Sequence, residues 1–381
     1  MRRRAGFTAC AALTITAIGL IGTSAAATQS AATARWRVVF QTPGNRIGEF
    51  DSVIAPAPTS AWAFGWTWTG GIGAPSYPIA RHWNGHRWSS VAMPSSLTGS
   101  GIACASASSP ANVWAFAGAG GARAGDPPAV AAALRLHGSR WATEKVLSLS
   151  GFDKYVTGCN VLSPTNAWVF GAVYAGLGAG VGTWHLTRSG WHHLNTGHLS
   201  LFSASAASAK DIWAIGADLT LSGQSFLERW NGNSWQRVRS VYSVLPRKAG
   251  IGAVNAQSAN SVWVQALTGA QRAPTTVVVH WNGKGWHRMP RGSVGYYLPT
   301  AVPDGNGGWW AVPYSAKDLT RYLLHEANGR WTRFPLPTPQ PLYIHSLRLA
   351  HIPRSRAMLA TGIYLRSRHS AGVLLAFGAL P

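Results

Sequence analysis

Acids are the scarce residues in this chain. Eleven Asp and Glu stand against thirty-three Lys and Arg in 381 residues, a formal charge of +22. Glycoside hydrolysis ordinarily uses two carboxyls at a set separation. Only Glu49, Asp51, Asp126, Asp153, Asp218 and Asp318 fall where they could serve a common loop face, and Asp51 with Asp153 is the best pair. A His or Arg recurs at His82, Arg135, His185, Arg229, His280 and His325. A set of imidazoles invites a metal reading, but these positions are strung along the whole chain, so a hydrogen-bonded structural role fits them better. No phosphate loop, zinc motif or nucleophile elbow occurs, and no cofactor is implied.

Three cysteines are present, of which Cys10 lies in the N-terminal segment. Arg2, Arg3 and Arg4, an apolar run from Phe7 to Ile21 and small residues ending in A-x-A matches at Ala27 and Ala34 read as a secretory signal over residues 1–34. Its removal takes Cys10 with it and leaves Cys104 and Cys159 in an oxidising compartment. They either bond or remain two reduced, buried thiols, and nothing nearby supplies a base to activate either. The expected location is extracellular or cell-wall associated.

Tryptophan gives the positioning frame. The chain has twenty, far above ordinary usage, and sixteen fall on repeating landmarks. WNGxxW occurs at Trp83–Trp88, Trp230–Trp235 and Trp281–Trp286, with degenerate copies ending in Trp141, Trp191 and Trp331. Upstream of each copy stands Trp62, Trp114, Trp168, Trp213, Trp263 or Trp310, at spacings of roughly 45 to 55 residues. Seven such units fit residues 35–381. In the first unit, short strands are expected over 51–55, 61–66, 79–83 and 87–91, with Asn84-Gly85 as a tight hairpin turn whose two central residues need positive φ. Four short antiparallel strands per unit is the pattern of a β-propeller blade. The seventh unit, from near Ile344 to Phe377, lacks an outer strand, while Arg35 to Val39 is an outer strand without a blade. The expected architecture is therefore all-β: a seven-bladed propeller whose N-terminal strand completes the last blade and removes an open sheet edge.

The order Trp62-Ala63-Phe64-Gly65, Trp83…Trp88, Met93-Pro94, repeated as Trp281…Trp286, Met289-Pro290, resembles the kelch and galactose-oxidase-like propellers over nearly all of residues 35–381. A single Gly65, Gly171 or Gly216 stands where kelch repeats carry a Gly-Gly doublet. WNGxxW units also look like repeats of secreted bacterial proteins. A copper oxidase of the galactose-oxidase type would imply a Tyr/His ligand set and a Cys–Tyr link; Tyr343 and His345 tempt, but neither cysteine has the matching context. The Ser-x-Asp boxes of sialidase-like propellers are absent.

In a propeller the loops between second and third strands share a face with the inter-blade crossovers. Those are the variable segments here, and they collect cations and aromatics. Lys154, Tyr155, Arg247, Lys248, Tyr296, Tyr297, Tyr314, Lys317 and Arg366 are candidate ligand contacts, as are Trp66 and Trp68, which lie off the repeat landmarks at a strand end and are expected to be exposed. Cations and aromatics around a channel mouth suit an anionic polymer or anionic sugar. The leading expectation is a monomeric, secreted, non-enzymatic module binding a glycan or anionic polymer of the cell envelope; another protein is a further possible partner. The alternative is an extracellular carbohydrate-active enzyme, a hydrolase, lyase or oxidase, on the same frame. Secretion argues against a genomic nucleic-acid role.

Overall fold

The fold is known from a computed structural model that describes residues 35–43, 47–68, 75–118, 130–147, 155–171, 181–196, 199–218, 225–269, 275–289, 296–313, 320–337, 343–366 and 369–380. Seven four-stranded antiparallel sheets follow one another along the chain. Blade one comprises Ile47–Ala57, Ser60–Trp68, Ser76–Trp83 and Trp88–Val91, numbered inner to outer. Blade seven comprises Tyr343–His351, Met358–Arg366 and His369–Phe377, and its outer strand is Trp36–Gln41 from the other end of the chain. Trp36 pairs with Phe377 and Val38 with Leu375. The expected closure is therefore present.

Tryptophan joins the blades. Trp62 of blade one meets Trp141 on the outer strand of blade two edge to face at 5.3 Å. The same contact recurs as Trp114–Trp191 at 5.5 Å, Trp168–Trp235 at 5.9 Å and Trp213–Trp286 at 5.9 Å. At the sixth seam Trp310 meets Trp36 of the closing strand at 5.3 Å. Between blades five and six, Trp263 meets Trp309 instead, at 5.5 Å. Blade seven carries Leu359 in the landmark place, and Trp83 and Trp88 of blade one pack in its cluster. Edge-to-face pairs match the positive edge of one ring to the negative face of the other, which adds to the area that each indole buries.

A second set of bonds joins the inner strands. The Oγ atoms of Ser52, Ser106 and Ser205 accept from the backbone N–H of Ala105, Val161 and Ala256 in the next blade, at 2.9–3.0 Å. Asn160 and Asn255 donate from Nδ2 to the carbonyls of Ala204 and Ala301. Among the described residues, five of the seven seams are bridged this way. One is also covalent: Cys104 and Cys159, on the inner strands of blades two and three, form a disulfide with Cα atoms 6.0 Å apart, within the span such a bond needs.

The WNGxxW turn differs from the expected one. Trp83 pairs with Trp88, so four residues lie in the loop. Only Gly85 has positive φ, +92°; Asn84 does not. Asn84 works through its side chain, whose Oδ1 accepts from the N–H of His86 and Arg87, both at 3.0 Å. Asn231 and Asn282 repeat this geometry. The side chain stands in for a backbone turn acceptor, which is why Asn recurs there.

Each inner strand carries a bulge near its start, as between Phe50 and Ser52. Across from it in blades one, three, four and seven stands a glycine, Gly65, Gly171, Gly216 or Gly362. A Cβ on Gly65 would lie 1.8 Å from the Glu49 carbonyl oxygen, and one on Gly362 2.6 Å from that of His345. Here the single glycine is required by close backbone approach rather than by a turn.

Candidate functional site

The recurring His and Arg lie in the sheets, paired across strands with the landmark tryptophans. His82, His185, His280 and His325 stack on Trp62, Trp168, Trp263 and Trp310 with ring centroids 3.9–4.6 Å apart. Arg135 and Arg229 lie over Trp114 and Trp213. A third residue completes each set, two positions before the Trp in blades one to five and six positions before it, as Asp304, in blade six. His82 Nε2 shares a hydrogen bond with Ser60 Oγ, His185 with Asn166 Oδ1 and His280 with Ser261 Oγ, at 3.1–3.4 Å. Arg229 donates to Asp211 Oδ1 at 2.6 Å, and Asn112 accepts from the Trp114 indole. In blade six Asp304 bonds His325 at 2.8 Å. The signal was present in the sequence as a Ser, Asn or Asp two residues ahead of the Trp. These are structural sets.

Their electrostatics follow from burial and from the third residue. Burial lowers the pKa of His82, His185 and His280, with nearby His192 lowering His185 further, to about 4. Burial alone would raise Asp304, but hydrogen bonds from His325, Asn306 and Gly308 outweigh it and hold the carboxyl below its ordinary value. Among the described residues, no three His, Cys, Asp or Glu side chains group as a metal site.

Trp66 and Trp68 are not exposed. They retain 9% and 8% accessibility. The second strand of blade one runs on to Trp68 rather than stopping at Trp66, and the first strand lengthens with it. Trp66 pairs with Glu49 and Pro78, and Trp68 with Ile47 and Ser76, so both stand on a strand with a neighbour on each side. They cannot serve as free stacking platforms in this conformation.

The other candidates divide by position. Tyr155, 46% exposed, precedes the inner strand of blade three. Arg247 and Lys248 are exposed in the crossover leading into the inner strand Gly250–Ser258, with Lys248 at φ +64°. Tyr296 and Tyr297 open the inner strand of blade six, and Arg366 ends the second strand of blade seven. By topology all of these lie toward the same end of the ring. Lys154, Tyr314, Lys317 and Asp153 lie outside the described residues.

Asp51 is on the inner strand of blade one as expected, at its bulge. It is not the sole inner-strand acid, because Glu49 lies on the same strand. Desolvation, the adjacent Glu49 charge and a hydrogen bond between the two carboxyls raise the Asp51 pKa well above normal, and Arg348 of blade seven offsets this in part. The carboxyl that acts on Asp51 here is Glu49 of its own strand.

One cavity, of about 220 Å³, opens between the closing strand of blade seven and the outer half of blade one. Phe40, Pro78, Ile79, Arg81, Ser90 and Met93 are among its walls. Arg81 lies 3.9 Å above the Phe40 ring centroid. Burial lowers its pKa. Sequence reasoning missed this feature, since Phe40 and Arg81 belong to the two blades that the chain ends bring together.

The fold is thus that of a seven-bladed β-propeller. Among solved structures, it is similar to YCF48 bound to D1 peptide, with a TM-score of 0.53 and 14% identity over 90% of this chain and 97% of that one. It also aligns with the SapL1 lectin in complex with alpha methyl fucoside, at a TM-score of 0.42 and 14% identity over 77% and 97% of the two chains. A third alignment is to Trypanosoma rangeli sialidase, at 0.45 and 10% identity over 87% and 55%. Likeness at these identities concerns the fold alone, and the last two scores carry no argument. No protein-family model and no curated protein matches the sequence.

Proposed function

We propose that residues 1–34 are a secretory signal and that the propeller is a non-enzymatic module of the cell exterior, which binds an anionic glycan or polymer of the envelope. We assign its repeat to the kelch-like, WNGxxW type. The observation that carries the binding reading is unneutralised charge. With Arg2, Arg3 and Arg4 in the signal, thirty Lys and Arg of the propeller face eleven acids, and some of those acids are already used inside the blades: Asp211 on Arg229, Glu228 on Arg237 and Asp304 on His325. Arg247 and Lys248 lie exposed in the crossover before blade five, and Tyr155 and Tyr242, in crossovers into blades three and five, are exposed too. Surface cations without partners raise the local concentration of a polyanion, and salt screens them. Among the described residues no helix is long and apolar enough to cross a membrane.

A glycan array and a cell-wall pull-down in graded salt test the reading. Retention at low salt that falls steeply as salt rises is expected. Absence of binding at low salt would dispose of it.

The enzyme reading has one observation in its favour. Asp51 is a carboxyl whose pKa burial and Glu49 raise, and such a group can donate a proton near neutral pH. Hydrolysis or elimination of an envelope glycan that is lost in Asp51→Asn, with binding retained, would establish it; wild-type protein inert toward every bound glycan would end it.

A further inference from the structure

Among the described residues, Arg81 is the one charged residue lining the cavity between blades seven and one. Its guanidinium is half-buried on Phe40 and pairs with no acid among the described residues. Two similar cations show what is missing. Arg237, 3.5 Å above the Phe226 ring centroid, has Glu228 at 3.2 Å. Arg229, over Trp213, has Asp211 at 2.6 Å. Taking a guanidinium out of water without an anion is costly, and burial depresses the Arg81 pKa with no opposing carboxylate.

The rest of the cavity defines the body that would carry the anion. Pro78, Ile79 and Met93 form an apolar wall, and Ser90 stands opposite Arg81 in the strand register, adding a hydroxyl. At about 220 Å³ the space is smaller than the roughly 300 Å³ of a whole small-molecule site. It suits a single residue of a chain whose neighbours run outside.

The geometry points to a subsite for one hexuronate residue of an acidic glycan, its carboxylate on Arg81 and its C–H face on the apolar wall. This deepens the binding reading above and rests on it. Arg–carboxylate pairs form two parallel hydrogen bonds, so the site distinguishes a free uronate from its ester. A peptide C-terminal carboxylate is the competing occupant. It fits less well, because the lining is a wall for a compact ring.

The test follows the Arg81 Nε–Hε resonance of the full propeller during titration with galacturonate, tri-galacturonate, the galacturonate methyl ester and a short peptide with a free C-terminus. Both free uronates should shift the resonance saturably, and the ester should not. Arg81→Gln, at an unchanged melting temperature, should weaken trimer binding at least tenfold, with Arg81→Lys recovering part of the loss. The subsite is overturned if free galacturonate leaves the resonance unmoved, if the ester shifts it equally, or if only the peptide does. Polymer binding that survives Arg81→Gln undiminished removes the subsite and keeps the binding reading. A saturable uronate shift in a protein that retains no polymer keeps the subsite and removes that reading. If Arg81→Gln does not fold, the wild-type titration decides alone.

Discussion

The indole of Trp62 meets that of Trp141 edge to face, 5.3 Å between centroids and 81° between planes, across the seam from blade one to blade two. Both rings are buried, at 2% and 7% accessibility. The contact joins residues on different sheets, so its loss loosens the ring rather than one blade. Trp141→Ala should destabilise the propeller by about 3–5 kcal/mol, read from urea denaturation. Trp141→Phe keeps an edge-on ring and should recover part of that. Equal losses in both variants would mean that filling space, rather than ring geometry, is what the seam needs.

The Cys104–Cys159 bond closes a loop with a sequence separation of 55. On loop-entropy grounds alone that corresponds to about 4 kcal/mol. The double Cys→Ser variant should still fold, since the neighbouring Ser106–Val161 bond holds the same seam. Its melting temperature should fall to that of reduced wild type. An unchanged melting temperature on reduction would show that the bond is not formed in solution.

Stability should fall on acidification below about pH 6.5. His82, His185 and His280 have folded pKa values below the unfolded value of 6.5, reaching about 4 for His185. Between those limits the unfolded chain binds more protons than the folded one, so folding weakens as pH drops and the loss levels off near pH 4. Asp51 acts in the opposite sense, because its raised carboxyl takes up a proton in the folded state first. Melts from pH 7.5 to 4 in wild type and His185→Gln separate the two. The variant should show a shallower decline, and identical slopes would remove His185 as a cause.

Trp36 couples closure to packing. It pairs with Phe377 in the sheet and meets Trp310 of blade six edge to face. Trp36→Ala should cost about 3–5 kcal/mol and raise hydrogen exchange in both His369–Phe377 and the second strand of blade six. Exchange raised in only one of the two would break that link.

Much of this was legible in the sequence, because a repeat places the same residue in the same environment several times. Trp62, Trp114 and their counterparts announced the blades, and Trp36 without a blade announced the closure. The Asn84 turn was located correctly, but its loop is longer, since Asn side-chain capping and a left-handed Asn leave the same letters. Trp66 and Trp68 were misjudged because strand length beyond the landmarks is set by which neighbours run alongside, and a period carries no information on that. Glu49 stands two residues before Asp51 on one strand, so that neighbour could have been read from the sequence. Arg81 over Phe40 arises where the repeat is broken: blade seven lacks the landmark Trp and is assembled from both ends, so no pattern could supply that contact.

The strand that finishes the ring, Trp36–Gln41, comes before blade one in the chain, and its partner His369–Phe377 comes after blade six. A growing chain can build blades one to six in turn, yet it cannot seal the circle until His369–Phe377 has emerged, and throughout that interval Trp36 waits without its partner strand.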